Sequence, residues 1–173
     1  MVAREISLRT GVASDAVSLT GLYLRSRRMA MPWLPSVHDE AETLGWMRQI
    51  VLAGQDVIVA QNGDRLLGFA ALDGKWLEQL YVDSDAQGSG VGRALLAAVK
   101  EARPGGFSLR VFTRNTRARL FYEALGCVLI EQSHDGSRNE ENEPDCTYSC
   151  VPAALPTGMR PHPDSNRRRE EGT

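Results

Sequence analysis

The run Gln87-Gly88-Ser89-Gly90-Val91-Gly92 carries three glycines at alternate positions, between an apolar stretch, Leu80-Tyr81-Val82, and a helical pattern starting at Arg93. Glycine accepts backbone angles that other residues avoid, so this loop can turn with its N–H groups facing outward. A helix opening directly after it adds the positive end of its dipole. The chemistry this suits is phosphate binding, and the plainer alternative is a turn that joins a strand to a helix. Known phosphate motifs narrow the choice. A Walker loop needs Gly-Lys-Ser/Thr, which occurs nowhere in the chain. The dinucleotide fingerprint needs its third glycine at position 93, where Arg93 stands. The spacing that remains, Gln/Arg-x-x-Gly-x-Gly/Ala, is met by Gln87, Gly90 and Gly92.

A second pattern follows. Asn115-Thr116-Arg117-Ala118-Arg119-Leu120-Phe121-Tyr122-Glu123-Ala124-Leu125-Gly126-Cys127 has an Asn to open a helix, Phe-Tyr within it, and Leu-Gly to close it before a strand. In this order and separation, the two patterns resemble the signatures of the GCN5-related N-acetyltransferases (GNAT), most clearly from Leu80 to Cys127 and more loosely from Arg4 to Val151. The resemblance implies transfer of an acetyl group from acetyl-CoA to a primary amine, by direct attack in a ternary complex without a cysteine intermediate. It further implies that the amides of Gln87, Gly88, Ser89, Gly90, Val91, Gly92 and Arg93 hold the pyrophosphate. The Leu80, Tyr81 and Val82 strand would pair with the pantetheine arm as an added strand does. The Arg93 side chain either adds a charge-assisted contact or is solvated. An oxyanion donor is implied at a strand bulge, expected near Leu80 or Tyr81.

Acetyl transfer also needs a neutral amine and a proton for the departing thiolate. Tyr122 is the candidate acid: a phenol with an ordinary pKa of about 10 is protonated at neutral pH. Ala118, Phe121, Tyr122 and Leu125 share a helix face, so the alternative for Tyr122 is a core aromatic. Asn115 is a helix cap, or a cap that also touches the cofactor, and lies seven residues, about two turns, before Tyr122. Glu78 is the candidate base, two residues before Leu80. His38 and His134 are weaker candidates. Ribosomal-protein alanine acetyltransferases of the same superfamily carry a Glu five residues before the motif Asn; here that position is Arg110, which argues against that activity.

These groups need a frame. Alternation at Ile6 and Leu8 predicts a half-buried strand, followed by a helix capped by Ser14 or Asp15 with Val17, Leu19, Leu22 and Leu24 on its apolar face. A second helix is expected from about Asp39 to Ala53, with Leu44, Met47, Ile50 and Val51 at helical spacing. Asn62-Gly63 between two apolar runs predicts a hairpin. Strands follow at 76–82, 108–112, 127–132 and 146–151, interleaved with the two motif helices. The expected fold is one α/β domain over residues 1–152, a mixed central sheet of about seven strands with about four flanking helices. Residues 153–173, rich in Pro and then Arg, read as a flexible tail.

The net charge of −2 and pI near 5.9 provide no basic field for nucleic acid. No apolar run reaches the 18 or more residues of a membrane span, and the N-terminus lacks a signal-peptide core, which suggests a cytoplasmic protein. Cys127, Cys146 and Cys150 lack metal or paired-disulfide spacing, so free thiols packed in strands are expected and no metal. Met31-Pro32-Trp33-Leu34-Pro35 is apolar enough to wall an acceptor cleft, or belongs to the core. Asp135, Glu140, Glu141, Glu143 and Asp145 form an acidic loop that either attracts a cationic amine or is simply solvated. The acceptor is a small-molecule or peptide amine, and the resemblance is compatible with a homodimer. Rival readings are a non-catalytic acetyl-CoA sensor and a peptide or protein N-terminal acetyltransferase.

Overall fold

The computed structural model describes residues 5–152. The tail expected over 153–173 lies outside the described residues. Seven strands form one sheet: β1 (Ser7–Thr10), β2 (Asp56–Asn62), β3 (Arg65–Asp73), β4 (Trp76–Val82), β5 (Phe107–Phe112), β6 (Val128–Gln132) and β7 (Asp145–Cys150). Their order is β1-β2-β3-β4-β5-β7-β6. All neighbours are antiparallel except β4 and β5, which run parallel. Gly63, at φ +57°, makes the tight turn between β2 and β3 that Asn62-Gly63 predicts.

The helices lie on both faces. α1 (Ala16–Ala30) and α2 (Glu40–Trp46) cover one, and α2 continues through a π turn (Met47–Val51) into the short α3 (Leu52–Gly54). Their Leu19, Leu22, Met47 and Val51 pack on Val57, Val59, Phe69 and Ala71 of the sheet. α4 (Val91–Ala102) and α5 (Thr116–Ala124) cover the other face, where Val91, Leu95, Leu96 and Val99 are buried against Ala60, Leu67, Ala70 and Leu72. Each such aliphatic side chain contributes about 1.5 to 3 kcal/mol when removed from water.

Several expectations shift. Val17 is 64% exposed, whereas Thr20 and Ser26 are buried because their hydroxyls donate to Ala16 O and Leu22 O, each at 2.7 Å. Neither Ser14 nor Asp15 caps α1 by its side chain; the Asp15 carboxylate instead accepts from Val12 N and binds Arg9. The π turn rotates the second helix out of phase, which leaves Ile50 52% exposed between buried Met47 and Val51.

The cysteines depart furthest from expectation. Cys127 and Cys150 are joined by a disulfide, while Cys146 is free and buried. The cause is register: Val128 pairs with Ser149 across β6 and β7, so the residues just outside that pair meet face to face. Spacing along the chain carries no trace of such a pairing.

Candidate active site

The parallel pairing of β4 with β5 covers only Trp76 with Ser108 and Leu77 with Leu109. Beyond it the strands part. The other edge of β4 stays paired, with Ala70 to Leu80, Phe69 to Tyr81 and Gly68 to Val82. The segment Leu80–Val82 therefore presents a backbone edge to an open wedge, and an unpaired edge of this kind accepts an extended chain.

The wedge holds two adjoining clefts. The larger, of about 370 Å³, is lined by Leu80, Tyr81, Val82, Gln87, Gly88, Gly90, Gly92, Arg93 and Asn115, together with Ser26, Ala30 and Met31 of the α1 side and Arg117, Ala118 and Phe121. The smaller, of about 240 Å³, shares Met31, Leu80, Tyr81, Asn115 and Ala118 with it, and adds Glu78, Arg110, Phe112, Tyr122, Arg138 and Asp145 among others.

Each wall has a local cause. Asp83 is buried and fixes the start of the glycine loop: its N–H donates to Leu67 O, its carboxylate accepts from Ser84 N, and Arg25 of α1 pairs with it at 3.0 Å. Gly88 and Gly90 lie at φ +78° and +88°, in the left-handed region, and Gly90 is the N-cap of α4. Neither would bring a side chain near other atoms, so the conformation and not the space requires glycine there. Gly92 differs, because a Cβ there would stand 3.3 Å from the Phe121 ring. The Ser89 hydroxyl donates to Ala86 O and Val91 is buried in the core, so neither side chain lines the cleft. Asn115 caps α5 through Oδ1, which accepts from Ala118 N. The α5 helix is held to the sheet by Tyr148, whose hydroxyl donates to Glu123 and accepts from Arg119.

Residues 53–126, which include most of both walls, match the acetyltransferase (GNAT) domain family. Over this span the chain is similar to the GNAT superfamily. YiaC, a peptidyl-lysine N-acetyltransferase of Escherichia coli K12, is 26% identical over 125 residues, 72% of this chain and 84% of YiaC. MnaT, an L-amino acid N-acyltransferase of the same organism, is 26% identical over 142 residues, 73% of this chain and 82% of MnaT. The solution structure of apo YjaB from Escherichia coli superposes with a TM-score of 0.70 at 25% identity, covering 84% of this chain and 97% of that one. Both curated relatives are named for transfer of an acyl group to an amine nitrogen.

Tyr122 is buried and lines the smaller cleft; its hydroxyl has no hydrogen-bond partner among the described residues. Burial, and secondarily Tyr81, push its phenol well above its ordinary pKa. Glu78 is exposed at the edge of the same cleft. The β4 bulge is earlier than the sequence suggests: Gln79 pairs with Ala71 and Leu77 with Leu72, so Glu78 is the extra residue. Leu80 and Tyr81 are in regular pairing, which is why the bulge cannot fall on them.

The acidic loop is neither a free attractant nor merely solvated. Arg27 binds Glu141 at 3.0 Å, Arg114 binds Glu143 at 3.1 Å, Arg138 binds Asp145 and Glu131, and His38 lies between Glu42 and Glu140 at 3.1 and 2.6 Å. These pairs tie the β6–β7 loop to α1 and to the segment before α2. Met31, Pro32, Leu34 and Pro35 line a third hollow of about 160 Å³ with Tyr23, Arg27 and Glu141, and Trp33 packs on Phe112 under the Arg114 guanidinium. His134 is exposed, and neither it nor His38 lines the two clefts of the wedge. The sequence reading missed Arg110, Arg138 and Asn139 as lining of the smaller cleft; they are gathered by the pairing of β5 with β7 and by the contacts of Arg138 and Asn139 with Asp145, neither of which shows along the chain.

Among the described residues no helix is long and apolar enough to cross a membrane.

Proposed function

We propose that the two clefts divide the reaction between them. The larger holds the coenzyme, with its pyrophosphate on the amides of Gln87 to Arg93 and its amide-bearing arm along Leu80–Val82; the smaller holds the acceptor amine. The residues suit that donor, since the left-handed Gly88 and Gly90 turn the loop backbone and α4 opens at once behind it. Asn115, shared by both clefts, supports the coenzyme where they meet.

Glu78 takes a proton from the incoming ammonium, directly or through water, and the neutral amine then attacks the thioester carbonyl. A backbone N–H released at the Glu78 bulge faces the developing oxyanion. The C–S bond breaks as Tyr122 donates a hydrogen bond to the departing sulfur, while the new amide nitrogen gives up its extra proton to water and the released thiolate takes one from water. A thiol titrates near the cysteine value of about 8.5, far below this buried phenol, so complete transfer from Tyr122 runs uphill. Its contribution is the hydrogen bond in the transition state. The observation that carries this reading is the meeting of the two clefts at the β4–β5 parting, with the phenol on one side and the glycine loop on the other.

The acceptor is a small-molecule or peptide amine, and the chemistry calls for neither nucleic acid nor membrane. The same reading places the protein in the cytoplasm. Tyr122→Phe is expected to lower thiol release from acetyl-CoA about a hundredfold while leaving the calorimetric affinity for coenzyme A within about twofold. Unchanged turnover would remove Tyr122 from the mechanism. Coenzyme binding with no thiol release across a panel of primary amines would favour a sensor.

A further inference from the structure

Four charged side chains line the smaller cleft: Glu78, Arg110, Arg138 and Asp145. Two of them are already engaged with each other, since Arg138 donates to Asp145, which also accepts from Asn139. Among the described residues no acid lies within ion-pair distance of Arg110, and no base within that distance of Glu78. The cleft thus offers one anionic and one cationic group to whatever enters it.

Arg110 is not loose. Its guanidinium lies over the Trp76 ring, 4.5 Å from the centroid. Stacking fixes the plane of the group and leaves its N–H fork directed outward from the edges. A planar fork of parallel donors matches a carboxylate, and matches no amine. Glu78, by contrast, repels a carboxylate and attracts an ammonium.

We propose that the acceptor is a free amino acid, whose amine is presented at the Glu78 end of the smaller cleft and whose carboxylate is held by Arg110. The volume of about 240 Å³ is below that of sites for drug-sized ligands and suits one residue, with Leu109, Val111 and Phe112 as apolar wall for its side chain. A lysine side chain within a protein would bring its amine without a neighbouring carboxylate, and Arg110 would then be unmatched. The proposal rests on the assignment of this cleft to the acceptor.

The test compares kcat/KM for the common L-amino acids, the corresponding amino-acid amides and an acetyl-capped lysine peptide, each with acetyl-CoA. At least one amino acid is expected to exceed its amide by about ten- to hundredfold, the usual worth of a hydrogen-bonded charge pair. In Arg110→Gln that acid-to-amide ratio falls toward one, and in Arg110→Lys, which keeps charge but loses the fork, it lies between. Amides or the peptide used as well as the acids by the unaltered enzyme would overturn the proposal, and that comparison needs no variant to fold. So would a ratio that Arg110→Gln leaves in place, or coenzyme A binding without turnover of any amino acid. Absence of coenzyme A binding by calorimetry is a different result, because it removes the proposed function itself.

Discussion

The two clefts are built in opposite ways. The larger draws most of its lining from one continuous stretch, β4 through α5, and its distinguishing features are backbone ones: an unpaired strand edge, two left-handed glycines and a helix start. The smaller is assembled from side chains on β4, β5, α5 and the β6–β7 loop, and that loop is held in place by ion pairs spanning large sequence separations, Arg27 to Glu141 and Arg114 to Glu143. A backbone site varies little with side-chain identity. A side-chain site can be altered residue by residue, which suits the half of a transferase that selects its acceptor.

The largest test of this contrast is the disulfide. The Cys127–Cys150 bridge closes a segment with a sequence separation of 23, which contains β6, the acidic loop and β7. On the chain-entropy account, closing a loop of that length stabilises the fold by about 3 kcal/mol. Cys150→Ser is expected to lose about that much, read by urea unfolding, and reductant is expected to lower the stability of the unaltered protein but not of the variant. Of the two clefts the bridged segment lines only the smaller, the one proposed for the acceptor, so the acceptor KM should rise more than the coenzyme A dissociation constant. Equal changes in both would mean that the clefts are not separable in this way.

A smaller effect is expected on the backbone side. Gly90→Ala places a Cβ at φ +88° with no atom within 4 Å of it, so the cost is conformational alone, about 1 to 2 kcal/mol. If the coenzyme selects the left-handed loop, calorimetry should show about five- to thirtyfold weaker coenzyme A binding with the acid-to-amide preference intact. Gly92→Ala is the control. There φ is not left-handed and the new Cβ meets the Phe121 ring at 3.3 Å, so a loss would come from crowding at the α4–α5 contact beside the cleft and not from the left-handed conformation.

The same contrast decides what the chain discloses on reading. The glycine run, the Asn115 cap and the Asn62-Gly63 hairpin are local conformational signals, and each stands in the structure as the sequence predicts. The disulfide, the bulge at Glu78 and the pairing of the acidic loop depend on which residues face one another across strands or between distant loops. Periodicity does not carry that information. Thr20 and Ser26 show the limit within a single helix: their buried hydroxyls are satisfied by carbonyls four residues back, so polar residues occupy core positions that an apolar pattern assigns to Val17.

The finest test concerns His38, the contact between the segment before α2 and the acidic loop. Its imidazole pKa is raised, first by the hydrogen bond to Glu140 and then by that to Glu42. A histidine whose folded pKa exceeds its unfolded value near 6.5 stabilises the fold fully below that value, and the contribution disappears as pH rises through the folded pKa. The difference in melting temperature between the unaltered protein and His38→Asn should therefore be present at about pH 6 and shrink toward alkaline pH. The group is exposed, so the difference is expected to be small and to weaken with salt. A difference that grew with pH would require the neutral ring to be the bound form. If the contact also holds the acceptor cleft closed, its release should raise the acceptor KM over the same pH interval and leave coenzyme A binding unmoved, since His38 does not line the larger cleft.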